Sequence, residues 1–303
     1  MQNQGTLNLG QLVEGLHLNG DDNIHGQISY LAPNAGTIDG KAITDSNVTV
    51  KPDANSQGAI YNSNVQGDFI RVTFTGFSGN NYYTDLNGIR HQIGQIVVTY
   101  SDLELINGHQ GSFLVGIHNG NARTWNGVDT LYVSSFKQKY EFYDTDGNLI
   151  DIAPGTAWLP VGSLSRYNFT SSPNDSSRDH IEKISVVSGG KAYAIEGGRA
   201  TNHNGDIYLD HVDNGNTPNV FNTDGGAAII SITNGVILNP HIKSSNDPNM
   251  PDWNYYVSNL TTPLDGKTLT PPVKQNTSIN YHYDVKIQKR GESYSPPFSN
   301  LFS

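Results

Sequence analysis

The sequence predicts an antiparallel β-sandwich, and three observations carry that reading. Wherever the chain shows a pattern, apolar and polar residues alternate with a period of two, which places successive side chains on opposite faces of a strand. The alternating stretches are short and are separated by Asn-Gly, Asp-Gly and Gly-Gly pairs, as in a sandwich of many short strands. Composition agrees: 32 Gly, 16 Tyr and 2 Met among 303 residues describe a turn-rich β protein.

Residues 1–60 are weakly patterned, with short alternating pieces at Thr6–Leu9 and Ala42–Val50, and read as outer strands packed on the domain or partly mobile. Asp68–Gly76 sets Phe69, Val72 and Phe74 against Arg71, Thr73 and Thr75. Ile93–Tyr100, Ser112–Ile117 and Thr130–Phe136 read as further strands. Lys139–Tyr143 and Leu149–Ile152 flank Asp144-Thr145-Asp146-Gly147-Asn148, a hairpin turn in which Gly147 tolerates the positive φ required there. Asn174–Lys183 predicts two turns of helix in a connecting loop, with Asp175 or Ser176 as N-cap. Strands resume at Ile184–Val187, Lys191–Glu196, Asp206–Leu209, Ala227–Ile232 and Tyr281–Gln288. Residues 61–265 form the sandwich core of this reading. Residues 266–303 hold the proline-containing exit segment Thr268–Lys274, a final strand and a tail.

Charge and composition remove several classes of function. With 28 Asp+Glu against 18 Lys+Arg, the net charge is -10, which gives no general basic face for tracking phosphates and disfavours nucleic acid. The absence of Cys removes disulfides, zinc–thiolate sites, iron–sulfur clusters and thiol nucleophiles. No stretch approaches the roughly 20 apolar residues that span a bilayer, so no membrane insertion is expected. Residues 1–20 carry no signal-peptide pattern, and the chain reads as a monomeric piece of a longer secreted protein. The nucleophile-elbow, Walker and dinucleotide-binding motifs are all missing. A glycosidase needs only two carboxylates about 5–10 Å apart, which the sequence neither excludes nor proposes.

The candidate binding residues are aromatic, carboxylate and amide side chains in loops. Sugar rings present C–H faces that pack on aromatic planes, while Asn and Asp hold their hydroxyls. Trp125 lies in the polar stretch Asn121–Gly127, and Trp253 stands beside Tyr255 and Tyr256. Core burial and ligand stacking are both open for these two tryptophans, because Trp is amphipathic. Trp158, among apolar neighbours, reads as core. Asp206, Tyr208 and Asp210 fall on one face of a strand, and His211, Asp213, Asn214 and Asn216 follow in a loop. Such oxygen-rich clusters suit Ca²⁺ or sugar hydroxyls, and an ordinary solvated strand face has the same pattern. Asp144–Asn148 begins like a calcium loop, but its Gly is fourth rather than sixth, which fits a plain turn. The 10 His include no His-x-x-x-His pair.

Several segments in order carry a family resemblance. Phe142-Tyr-Asp-Thr-Asp-Gly-Asn-Leu-Ile-Asp151 resembles a Phe-Tyr-Asp-x-Asp-Gly-Asn-x-Ile-Asp hairpin, and Val161-Gly-Ser-Leu-Ser-Arg166 follows at the matching distance. Tyr82-Tyr83, Asn87-Gly88, Ile96-Val97-x-Thr99-Tyr100, Leu114–Ile117, Asn204–Tyr208 and Gly225–Ile230 have counterparts in the same order. Trp253 and Thr270-Pro271-Pro272-Val273 resemble the end of the domain and the start of its stalk. Together, over roughly residues 60–275, these are similar to the variable domain of streptococcal antigen I/II adhesins and to the glucan-binding protein C family.

The resemblance implies an all-β antiparallel β-supersandwich with short helices in its connecting loops. It implies a non-catalytic adhesin displayed on a Gram-positive cell wall. The ligand would be an α-glucan (dextran-like) polysaccharide or a host glycan, held in a loop-lined cleft. The alternative is an adhesin domain that binds extracellular DNA or lipoteichoic acid, as relatives do, or a host protein, and the resemblance also implies a calcium ion near the cleft in some members. A polysaccharide-cleaving enzyme is the competing class. On this reading Trp125, Trp253 and Tyr255 stack on the ligand, Tyr208 shapes the cleft, and Asp210, Asp213, Asn214 and Asn216 bond hydroxyls or a cation. Where the family carries a longer loop containing Gly and Trp, this chain has Asn214–Asp224, with Phe221 as its aromatic residue.

Overall fold

The computed structural model describes residues 6–7, 12–18, 23–44, 46–50, 58–106, 109–116, 126–162, 164–168, 179–211, 226–243 and 253–258, with 6–7, 46–50, 167–168 and 253–258 given as backbone. In chain order the strands begin with β1 (Thr6–Leu7), β2 (Leu16–His17), β3 (His25–Tyr30), β4 (Thr37–Ile38) and β5 (Lys41–Ala42). Next come β6 (Ser46–Val50), β7 (Ala59–Tyr61), β8 (Val65–Thr75), β9 (Tyr82–Thr84) and β10 (Arg90–Leu105). They continue with β11 (Gly111–Gly116), β12 (Asn126–Leu131), β13 (Val133–Asp144), β14 (Trp158–Gly162) and β15 (Arg166–Asn168). The last five are β16 (Asp179–Ile195), β17 (Ala200–His203), β18 (Asp206–Leu209), β19 (Ala228–Lys243) and β20 (Trp253–Ser258).

Two layers result. One runs β6–β3–β8–β10–β13–β19–β16. The other runs β14–β20–β12–β11–β7–β4–β5. Their junction is the β16–β19 pair. The end of β19 lies against β13, while its beginning, Ala228–Ser231, lies against β14. All named pairs are antiparallel except β1 on β16. The layers meet around Phe113 of β11, whose ring packs edge-on against Phe69 at 5.0 Å and Phe136 at 5.0 Å and beside Tyr100 at 5.3 Å. Alternation in the sequence is therefore alternation between this core and solvent: β13 reads Val133, Phe136, Tyr140 and Phe142 inward.

The described part contains no helix, which corrects the helical reading of Asn174–Lys183. Residues 174–178 lie outside the described residues, and Asp179–Lys183 opens β16. Ile181 and Ile184, three apart, imitate a helical stripe, but tertiary pairing decides the outcome. Asp179 and Glu182 are buried because Arg166 meets the first at 2.5 Å and the Ser165 N–H donates to the second at 2.7 Å.

The Asp144–Asn148 turn forms as read. The Asp144 carboxylate accepts from the N–H groups of Asp146 (2.9 Å) and Asn148 (2.8 Å), so the loop's own backbone occupies it. Strand pairing past the turn is limited to a single bridge between Tyr143 and Leu149. Asn234 clasps the hairpin instead: it donates to the carbonyls of Phe142 (2.8 Å) and Ile150 (2.7 Å) and accepts from the Phe142 N–H (3.0 Å).

The N-terminal segment 12–18 lies across β14, which explains why that strand is buried throughout. Leu159 and Val161 enter the main core, while Trp158 packs with Leu12 and Ile229 in a second cluster and donates to the Val13 carbonyl at 2.8 Å. Trp158 is thus core. Glu14 is buried in this seam, where Oε1 accepts from the Leu16 N–H at 2.8 Å and Oε2 has no hydrogen-bond partner among the described residues. Burial pushes its carboxyl well above the usual carboxylate range, against the pull of the Leu16 and Trp158 N–H groups. The sign follows from linkage. Below about pH 4.5 both folded and unfolded chains hold this proton, and above it only the folded chain does. Stability is therefore expected to fall by about 1.4 kcal/mol per pH unit from there up to the raised folded value. Glu14→Gln should flatten that slope in denaturant titrations run at several pH values.

Candidate functional site

The β17–β18 hairpin, at the edge of the first layer beside β16, carries Tyr208 and leads into Asp210, the two sequence-derived site residues whose side chains the structure describes. Its turn is Asn204-Gly205, both at positive φ (58° and 106°), the chemistry of a tight two-residue hairpin. That turn sets the register: His203 opposite Asp206 and Thr201 opposite Tyr208. Ile207 and Leu209 point into the core, so Asp206, Tyr208 and Asp210 share the outer face as the period of two requires.

On that face the groups are closely interlocked. The Thr201 hydroxyl donates to Asp210 Oδ2 at 2.7 Å, and His203 Nε2 lies 2.8 Å from Asp210 Oδ1. The His203 imidazole stacks on the Tyr208 ring at 3.9 Å and 14°. From β16, on the other side of β18, Lys183 Nζ stands 4.8 Å from the Tyr208 ring centre and 4.0 Å from Asp206 Oδ2. His241 Nε2 of β19 reaches Asp206 Oδ2 at 3.2 Å. Below them Arg166 is held by Asp179 and donates to the Asp210 carbonyl. Burial pushes the Tyr208 hydroxyl pKa up, helped by the Asp210 and Asp206 charges and opposed by Arg166. The Tyr208 ring is thus packed by its own neighbours, with Asp210 fixed beside it.

Other residues of the proposed constellation separate. Trp125, Asp213, Asn214 and Asn216 lie outside the described residues. Trp253 and Tyr255 are on the backbone of β20, opposite Leu131 and Asp129 of β12. Asn126, which follows Trp125, pairs with Ser258 at the other end of the same two strands. The five residue steps from Asn126 to Leu131 span roughly 17 Å of strand. Ser258 also pairs with Val161, whose strand leads through Leu164 to Arg166 and Asp210. Asp210 therefore belongs to the Asn126 end, and Trp253 marks the opposite end.

Sequence reading missed Thr201, His203, Lys183, His241 and Arg166. The Asn204-Gly205 turn is signal enough for the first two, because it dictates which residues face Asp206 and Tyr208. The other three arrive through long-range pairing of β15, β16 and β19. For calcium, the described residues do not supply a cage. No three His, Asp or Glu side chains gather into a metal-binding group among them. No helix of the described residues is long and apolar enough to cross a membrane.

Comparison with known proteins gives this geometry a family. The family profile of glucan-binding protein C matches residues 17–280. The chain belongs to the glucan-binding protein C family. As a member it is an extracellular, non-catalytic binding protein of the adhesin type. No curated protein sequence matches it.

Among solved structures it is similar to the glucan-binding protein C of Streptococcus mutans, described as mediating both sucrose-independent and sucrose-dependent adherence. The identity is 18% over 88% of this chain and 83% of that one, with a TM-score of 0.55. It is also similar to the adhesin domain of PrgB from Enterococcus faecalis, at 11% identity over 82% of this chain and 90% of that one, with a TM-score of 0.55. The same adhesin domain bound to DNA aligns at 13% identity over 68% and 72% of the two chains, with a TM-score of 0.48. At these identities the likeness is one of fold, and the two alignments with a TM-score of 0.55 show that this member of the glucan-binding protein C family keeps the β-sandwich of those proteins.

Proposed function

We propose that this domain is a cell-wall-displayed adhesin that binds a neutral polysaccharide of the α-glucan type. Tyr208 and Asp210, with Asp213, Asn214 and Asn216, which follow them in the sequence, and Trp125, which precedes Asn126, supply its hydroxyl- and ring-binding groups.

One observation carries the choice of a neutral ligand: the cations of the candidate site, and most others described, are engaged by the protein's own acids and rings. At the candidate site Arg166 is held by Asp179 and Lys183 by Asp206 and Tyr208. Elsewhere Lys137 lies on Asp102 at 2.7 Å, Lys139 on Glu141 at 2.7 Å, and Lys191 over the Tyr193 ring at 5.0 Å. A polyanion such as DNA or lipoteichoic acid is bound by rows of cations that give up counterions, and Arg166, Lys183, Lys137 and Lys139 are each paired with a carboxylate of the protein itself. Fixed carboxylate, hydroxyl and phenol groups instead match the hydroxyls of a sugar.

The test is retention on immobilised dextran and other α-glucans, competed by soluble oligosaccharide, across a salt series. Retention is expected to change by less than about twofold between roughly 50 and 500 mM salt, since no counterion release is involved. Asp210→Ala should weaken it about tenfold or more, the scale of losing hydrogen bonds to a charged group. Binding to DNA that collapses with salt, without retention on any glucan, would refute the proposal.

A further inference from the structure

A second surface, at the end of the molecule marked by Trp253, has different chemistry. At that end Thr37 of β4, Ile60 of β7, Ser112 of β11, Leu131 of β12 and Trp253 of β20 pair in one transverse row. Four inter-strand steps make that row roughly 19 Å long. Against it lie two adjoining hollows of about 380 and 480 Å³ that share the wall Asn62-Ser63-Asn64, the turn between β7 and β8. Asn34 and Thr37 line one hollow, and His109 and Gln110 line the other. None of the described lining residues is an Asp, Glu, Lys or Arg. In a chain with 28 acidic and 18 basic residues, this groove is electrically plain.

Its amides are pre-oriented. The Leu105 N–H donates to Asn64 Oδ1 at 2.9 Å, which turns the Asn64 amide N–H₂ away from that contact. Asn62 and Gln110 bond each other through one amide atom each at 2.6 Å, leaving Asn62 Nδ2 and Gln110 Oε1 as the remaining groups. Asn34 donates to the carbonyls of Gln66 and Asp68, both at 3.1 Å, which leaves its Oδ1 as an acceptor. These contacts leave two amide donors, Asn62 Nδ2 and Asn64 Nδ2, and two amide acceptors, Gln110 Oε1 and Asn34 Oδ1, around the hollows, a set that vicinal hydroxyls can satisfy. Beside them the His109 ring stacks on Tyr132 at 4.3 Å and 8°. Tyr132 holds φ at 54°, a left-handed conformation that costs a bulky residue about 1–2 kcal/mol and tends to persist where function requires it.

We infer that this amide-lined groove is a second binding site for a neutral glucan chain, with Asn62, Asn64, Gln110 and Asn34 bonding its hydroxyls and the His109–Tyr132 pair flanking its rings. The inference rests on the neutral-polysaccharide reading above for its ligand class, and it adds a site at the opposite end of the fold. A polymer engaging both ends would gain by avidity what each shallow site lacks.

The test uses an isomalto-oligosaccharide and a malto-oligosaccharide as probes, titrated into the protein by NMR, with a DNA oligonucleotide as the polyanion comparator. In the wild type the Asn62 and Asn64 side-chain amide signals should move with one of the glucan probes. The double variant Asn62→Asp, Asn64→Asp keeps both acceptors and the shape while removing both groove-facing donors. It should fold normally and lose those groove shifts, weakening oligosaccharide binding at this site at least about tenfold. Tyr132→Gly should weaken binding while leaving the melting temperature unchanged or raised, since glycine relieves the φ strain; a merely structural tyrosine would lower it. If the wild type binds glucan with these amides silent and the double variant binds equally well, the groove falls and the adhesin reading stands. If the wild type binds only DNA, both fall.

Discussion

Gly190→Ala is expected to cost this domain about 3 kcal/mol or more, enough to leave a large share of the chains unfolded. β16 and β19 are the pair that passes from one layer to the other, and their register jumps where they turn. Val186 pairs with Leu238, Ser188 with Ile237, and Gly190 with Ile232. Gly189 and Gly235 take positive φ at this corner, 74° and 80°. At Gly190 the constraint is space: a Cβ there would lie 2.0 Å from the Ser231 carbonyl oxygen. That oxygen belongs to backbone paired on both sides, with Lys191 and with Trp158, so it cannot withdraw without opening the junction. Gly155→Ala is the control. It has positive φ (78°) but nothing within 4 Å of an added Cβ, so it should cost only about 1 kcal/mol of conformational strain. Urea midpoints for the two variants decide the matter. A Gly190→Ala midpoint as close to wild type as that of Gly155→Ala would mean that the layers are not joined through so tight a corner.

The contrast between what could and could not be read from the sequence has the same physical root. Alternation is local, so β8, β10, β13 and the outer face of β18 are visible in the residues themselves. Asp206, Tyr208 and Asp210 share a face because strand geometry alone requires it. Pairing is not local. Nothing near Asp179 or Glu182 announces Arg166 and Ser165 as their partners, and without those partners a buried acidic strand is implausible, which is why a helix was the natural reading. Trp125 and Trp253 look alike as aromatic residues in polar surroundings, yet the β12–β20 register puts their neighbourhoods at opposite ends of one strand pair. The amide groove is assembled from residues 33–37, 60–66, 105–106 and 109–110, segments with no common motif, so only the folded chain brings them together.

Asn126→Ala is the second change expected to have a large effect, and it bears directly on how binding data near Trp125 are to be interpreted. The polar stretch that made Trp125 a ligand candidate ends in Asn126, which is not a surface amide: it is fully buried between the layers. The Tyr100 hydroxyl of β10 donates to its Oδ1 at 2.7 Å, and its Nδ2 donates to the Tyr140 hydroxyl of β13 at 3.3 Å. Gln138 Nε2 donates to the Tyr100 oxygen at 3.3 Å. Burial raises the Tyr100 hydroxyl pKa well above its ordinary value, reinforced by Tyr140 and opposed by Asn126 and Gln138, so the hydroxyl stays protonated and must donate. Removing the amide strips Tyr100 of its acceptor in a dry interior and leaves a small cavity, a loss of roughly 3–4 kcal/mol. Tyr100→Phe removes the donor instead, and the double variant should be less damaged than the sum of the two, because the orphaned group is already gone. Denaturation midpoints of the three variants test this, and strict additivity would show that the bond between Tyr100 and Asn126 is not made. If it is made, ligand binding lost on changing Asn126 reports a loosened sandwich. Binding lost on changing Trp125 with stability intact reports a contact to the ligand, and only this second pattern identifies a residue that touches the polysaccharide.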